Sequence, residues 1–122
     1  MVAPPPVSND REAIGPLKAG ETGGGVDVAF LFPGQGSQFA GMGKDLYERH
    51  AVARKVYDRA AKLLDFDIRG ICFEGPAEML TQTRYSQPAI FVTSIAALEV
   101  YKTCLKAKEF TPRFSAGLSL GE

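Results

Sequence analysis

The sequence of 122 residues predicts an α/β fold in which parallel strands are joined by a right-handed helical crossover. Three stretches carry that prediction. Val26 to Phe32, VDVAFLF, is β-branched and aromatic with a nearly continuous apolar half, the pattern of a strand covered on both faces inside a parallel sheet. Gln87 to about Lys106 reads as one long helix. Arg113 to Leu118 reads as the strand that follows it.

Residues 1–25 combine PPP, scattered charges and ETGGG, too little apolar surface to offset the entropy of ordering them, and are read as a flexible leader. After the first strand, Pro33-Gly34-Gln35-Gly36-Ser37-Gln38 is a turn by its proline and glycine content, and Gly41-Met42-Gly43 delays the next regular element. From Ala51 to Leu64, Val52, Val56, Ala60 and Leu63 fall on one helical stripe, with Arg54, Lys55, Asp58, Arg59 and Lys62 elsewhere. That is an amphipathic surface helix. Residues 67–75 read as a connecting segment, after which Pro76 opens a short helix, Ala77 to Leu80, as a first-turn proline. Gln87-Pro88 starts the longest helix. Its stripe Phe91, Ile95, Leu98, Tyr101, Leu105 is backed by Ala89, Val92 and Ala96, so protein should wrap most of it. Thr111-Pro112 closes the crossover, and no internal repeat interrupts the order.

Lysine plus arginine equal aspartate plus glutamate at 14 each, so no overall field draws the chain to nucleic acid or an anionic membrane, and neither is expected as a partner. The longest apolar run, Pro88 to Leu98, falls well short of the ~20 residues that span a bilayer. Cys72 and Cys104 have neither the close spacing of a zinc site nor the density of a disulfide scaffold, and are read as two buried thiols in a reducing compartment. The first residues lack the basic start and apolar stretch of a signal peptide, which makes the cytoplasm the expected location.

Chemistry concentrates in two loops. Gly117-Leu118-Ser119-Leu120-Gly121 has the G-x-S-x-G pattern, in which a serine in a tight strand-to-helix turn holds a strained backbone and small neighbours prevent clashes. The pattern alone occurs by chance; its position after a predicted strand and a long crossover helix gives it weight. Ser119 Oγ would project at the carboxyl end of that strand, with the Leu120 amide aimed at the same place. PGQGSQ, after the first strand, allows two functional readings. A phosphate cradle of the G-x-G-x-x-G kind fails at Phe39, which stands where the third glycine belongs. An oxyanion loop fits better, because glycines on both sides of Gln35 let its N–H approach a substrate oxygen, as in α/β hydrolases. An ordinary tight turn is the alternative. His50, the only histidine, sits in the charged patch Tyr-Glu-Arg-His and reads as a surface residue, which leaves Ser119 without a base.

Taken together, VAFLFPGQGSQFAGMGKDLY, TRYSQPAIFVTSIAALEVY and AGLSLGE closely resemble the malonyl-CoA:acyl carrier protein transacylase family, in the family's order and spacing, over about Val28 to Glu122. The acyltransferases of polyketide synthesis share the same blocks. The resemblance implies that residues 26–122 are the amino-terminal portion of an α/β-hydrolase-like acyltransferase domain, interrupted after the serine turn. It implies that Ser119 is the nucleophile, taking malonyl from coenzyme A as an ester and passing it to the phosphopantetheine thiol of acyl carrier protein. Gln35 and Leu120 would supply the backbone amides of the oxyanion hole, and Gln87 would line the substrate pocket. Malonyl-CoA and acyl carrier protein are the implied partners, with no metal and no cofactor beyond these substrates.

Leu118 departs from the pattern, since the family usually has histidine before the serine. The family's catalytic histidine, its carboxylate-binding arginine and its ferredoxin-like subdomain come later in its chains, so these residues alone are expected to be nearly inactive. A general base typically supplies a factor of ~10² to 10⁴. An apolar sheet edge should also stand uncovered, with poor solubility or dependence on a complementing piece. Three alternatives stay open: a polyketide-type acyltransferase of other acyl specificity, a non-catalytic carrier-protein-binding module, and a serine esterase that hydrolyses its acyl group.

Overall fold

A computed structural model describes residues 28–104 and 112–121. The predicted leader and the ends of two predicted elements, Val26 and Asp27 of the first strand and Leu105 and Lys106 of the long helix, lie outside those residues. Strand β1 (Ala29–Phe32) pairs in parallel with β2 (Phe114–Gly117), Ala29 opposite Phe114 and Phe32 opposite Gly117. The ladder extends past both strands, with Arg113 N–H donating to the Val28 carbonyl at 2.9 Å and Leu118 N–H to the Phe32 carbonyl at 3.2 Å. A parallel pair needs a long crossover. Helices α1 (Lys44–Arg49), α2 (Ala51–Leu63), α3 (Ile68–Glu74), α4 (Ala77–Leu80) and α5 (Thr83–Cys104) supply it. The α/β class and parallel pairing are those predicted.

Helix packing supplies the core. Met42, Ala53, Tyr57, Ile68, Ile71, Cys72, Leu80, Ala89, Ile90, Val92 and Ala96 form one buried cluster, and no residue of either strand belongs to it. The predicted stripe of α2 is displaced by one position: Ala53 and Tyr57 are fully buried, whereas Leu63 is 77% exposed. Tyr57 can go inside because its hydroxyl lies 2.6 Å from Thr93 Oγ1 on α5 and its ring meets those of Tyr47 and Phe73 at 5.9 and 5.1 Å.

Two short helices went unread in the sequence. α3 replaces the expected connecting segment. Asp67 caps it by accepting from Gly70 N–H at 3.1 Å, Gly75 ends it, and Ile68, Ile71 and Cys72 turn one buried face inward. α1 is set off from α2 at His50, whose backbone is extended, and Arg54 Nη1 donates to the Tyr47 and Glu48 carbonyls at the end of α1, at 3.0 Å each. Pro76 stands at the N-cap of α4, one place before the first turn predicted for it.

α5 starts at Thr83, ahead of the expected Gln87, with Pro88 inside it. Proline there removes a donor to the preceding turn. The first turn holds because the Tyr85 and Ser86 N–H groups both donate to the Gln82 carbonyl at 2.9 Å and Tyr85 packs edge-on against Phe66 at 5.0 Å. Cys72 is buried as expected, but Cys104 is exposed at the end of α5. Among the described residues nothing covers β1 on both faces as expected: its residues alternate between exposed and half-buried, and Leu31 is 78% exposed. Among the described residues, no helix is long and apolar enough to cross a membrane.

Candidate active site

β2 ends at Gly117, and the chain turns at once into one turn of 3₁₀ helix, Ser119–Gly121, closed by Gly121 N–H donating to the Leu118 carbonyl at 3.0 Å. Ser119 sits in the left-handed region at φ 53°, the only non-glycine residue to do so among the described residues. Such a backbone costs on the order of 1–3 kcal/mol and persists where its surroundings impose it. Two glycines make that possible by close approach. A Cβ on Gly121 would strike the carbonyl oxygen of Phe32, and one on Gly34 would strike the carbonyl oxygen of Leu118. The serine turn and the loop leaving β1 therefore rest backbone against backbone. Both lie at the carboxyl end of the parallel strands, where open α/β sheets place their ligand crevice.

The loop is stiffened from within. Ser37 N–H and Ser37 Oγ both donate to the Gly34 carbonyl, at 3.3 and 2.8 Å, and Gly36, at φ 107°, donates its N–H to Gln38 Oε1 at 2.8 Å. Gly36 N–H is thereby engaged, whereas Gln35 N–H has no partner among the described residues. Leu120 N–H lies in the first turn of its helix, where amides lack an intrahelical acceptor. Two amides, one from each loop, are available at the same end of the sheet.

Gln35 Nε2 donates to Thr83 Oγ1 at 3.3 Å, which ties the loop to the first residue of α5. Gln87 lies one turn further along α5, on the side it shares with Thr83, and is exposed. An apolar cleft of about 230 Å³ opens beside the serine turn between Phe32, Pro33, Phe91, Ile95, Leu120 and Gly121. A larger groove of about 510 Å³ runs between β1 and α5, past Phe30, Leu31, Ile90, Leu98 and Tyr101. Gln87 lines neither cleft. His50 stays at the α1–α2 junction and lines neither as well. Sequence reading singled out Ser119, Leu120 and Gln35, which the fold brings to one end of the sheet. It passed over Ser37, Gln38 and Thr83, whose signal was polar side chains inside a glycine-rich turn and at a helix start.

The sequence matches the acyl transferase domain family over residues 29–122. This chain belongs to that family. Over 95 residues the acyl transferase chain is 52% identical to a malonyl CoA-acyl carrier protein transacylase of Bacillus subtilis (strain 168), a match that covers 78% of this chain and 29% of that protein. It superposes with a TM-score of 0.70 on an acyl-carrier-protein-S-malonyltransferase from Bartonella henselae, at 41% identity, covering 79% of this chain and 31% of that one. A TM-score of 0.68 relates it to a malonyl-transacylase solved in complex with its type II polyketide acyl-carrier protein, at 33% identity, covering 79% of this chain and 30% of that one. The acyl transferase chain thus spans less than a third of the length of these relatives.

Proposed function

We propose that the protein to which this chain belongs is an acyl-carrier-protein S-malonyltransferase that works in two steps through Ser119. One observation carries the reading: Ser119 is held left-handed just past β2, its neighbours Leu118 and Gly121 lie against the backbones of Gly34 and Phe32, and the Gln35 amide next to Gly34 has no partner among the described residues. Ser119 Oγ attacks the thioester carbonyl of malonyl-CoA while its proton passes to a general base, which the family carries later in its chain. The amides of Gln35 and Leu120 hold the oxyanion. One such donor is typically worth a factor of ~10² to 10³. Collapse breaks the C–S bond, coenzyme A leaves as the thiol with the proton returned by the base, and a malonyl-serine ester remains. The phosphopantetheine thiol of acyl carrier protein then attacks that ester, forming the new thioester and restoring Ser119. Gln87 stands one turn from the Thr83 end of the Gln35 tether, outside both clefts, where it would meet the acyl-CoA before the acyl group reaches Ser119. Two free thiols, Cys72 and Cys104, fit a cytoplasmic setting.

A polyketide-type acyltransferase is the second reading, favoured by the likeness to a transacylase solved with a polyketide carrier protein. The full-length gene product, incubated with malonyl-CoA and then with holo carrier protein, should show a malonyl ester on the peptide containing Ser119 and its discharge to the carrier thiol. Retained transfer in Ser119→Ala would overturn the assignment. Preference for another acyl-CoA would select the polyketide reading, and release to water in place of the carrier thiol would make the protein an esterase.

A further inference from the structure

The Gly34–Gln35 peptide unit joins the carbonyl that Ser37 grips to the N–H assigned to the oxyanion. In a planar trans peptide these two groups point in opposite directions. Whatever fixes the Gly34 carbonyl therefore fixes the aim of Gln35 N–H. Ser37 does so twice, through its backbone N–H at 3.3 Å and, at the shorter distance of 2.8 Å, through its hydroxyl. Gly34 has no room to drift toward the serine turn, because even a Cβ on it would strike the Leu118 carbonyl. The neighbouring amide, Gly36 N–H, cannot substitute either, since Gln38 Oε1 holds it at 2.8 Å.

We propose that Ser37 is a positioning residue of the acyl transfer reaction: its hydroxyl, by holding the Gly34 carbonyl, points the Gln35 amide at the oxyanion that forms when Ser119 is acylated. This rests on the assignment of Gln35 to the oxyanion hole made above. The physical logic is preorganisation, since a donor already aimed at developing charge needs no reorientation in the transition state. The Ser37 N–H bond survives removal of the hydroxyl, so the turn persists and only its stiffness is lost. The benefit should therefore fall on the transition state and leave ground-state binding of the acyl-CoA alone.

The test uses the full-length protein with malonyl-CoA, following formation of the seryl ester in single turnovers. Ser37→Ala should slow acylation about tenfold, a fraction of the full loss of one oxyanion donor, with the KM for malonyl-CoA and the thermal midpoint unchanged. Ser37→Thr, which keeps the hydroxyl, should restore the rate. An unchanged acylation rate in Ser37→Ala, or a loss that appears in KM, or one that Ser37→Thr does not rescue, would overturn the role. Ser119→Ala run in parallel separates the two assignments: ester formation elsewhere in that variant would sink the proposed function, whereas its loss beside an unaffected Ser37→Ala would sink only the positioning role.

Discussion

The helical part of the chain and its two-stranded sheet are built on different terms. The helices bury one another: Tyr57, Ile68, Leu80 and Ile90 are each almost fully enclosed. The strands bury nothing completely, with Leu31 78% and Phe114 71% exposed, and yet they carry the serine turn. An apolar strand open to solvent is a liability that proteins ordinarily cover. Stability and the candidate site are thus housed separately: the helices hold the core, and the left-handed backbone of Ser119 sits at the end of the sheet.

Substitutions should therefore sort by region. The largest effect belongs to Ser119→Gly in the full-length protein, which should lower acyl transfer by more than about 10³-fold. The same change removes a non-glycine residue from a left-handed backbone and should raise stability by about 1 kcal/mol in denaturant titration. A variant that is inactive but no more stable would break the claim that strain is stored at the site. Next, Tyr57→Ala should cost about 3–5 kcal/mol through lost packing, while Tyr57→Phe, which removes only the hydroxyl that meets Thr93 Oγ1, should cost about 1 kcal/mol. Per folded molecule, neither should alter the rate of seryl ester formation.

Gly121→Ala forces a methyl group onto the Phe32 carbonyl, and overpacking of this kind costs about 1–3 kcal/mol. Because the strain falls between the two loops, the acylation rate should drop with it, in contrast to the Tyr57 pair. The last effect is confined to alkaline pH and vanishes at neutrality. Burial pushes the Cys72 thiol up from 9.0 to about 12, and burial likewise raises Tyr57. For an acid whose folded pKa is raised, the stabilisation is complete below the unfolded value and fades as pH climbs through the folded one. Stability should thus be insensitive to Cys72 below pH 9.0 and decline between 9.0 and about 12. Cys72→Ala should flatten that decline in part when denaturation midpoints are compared across pH.

Some misreadings of the sequence share a cause. Proline suits a first turn, which makes Pro88 look like a helix start, but the Tyr85–Phe66 contact carries α5 back to Thr83. The stripe of α2 was centred on aliphatic residues, whereas the buried position is Tyr57, admitted by one hydroxyl partner on another helix. Long-range contacts decided both. α3 is a different case: Asp67, the spacing of Ile68, Ile71 and Cys72, and Gly75 were local signals already in the sequence, masked by the glycines and charges around them.

By itself the sequence determined the local geometry: an apolar strand, a glycine-rich turn after it, a long crossover helix, a second strand, and a serine between glycines. These are short-range choices, set by side-chain branching, by proline and glycine, and by hydrophobic period. Only the tertiary structure decided that the two loops meet. Ser119 and Gln35 stand 84 positions apart in the chain. Parallel pairing of Ala29–Phe32 with Phe114–Gly117 brings the two loops together, Gly34 against Leu118 and Gly121 against Phe32, because neither glycine carries a Cβ to hold the backbones apart.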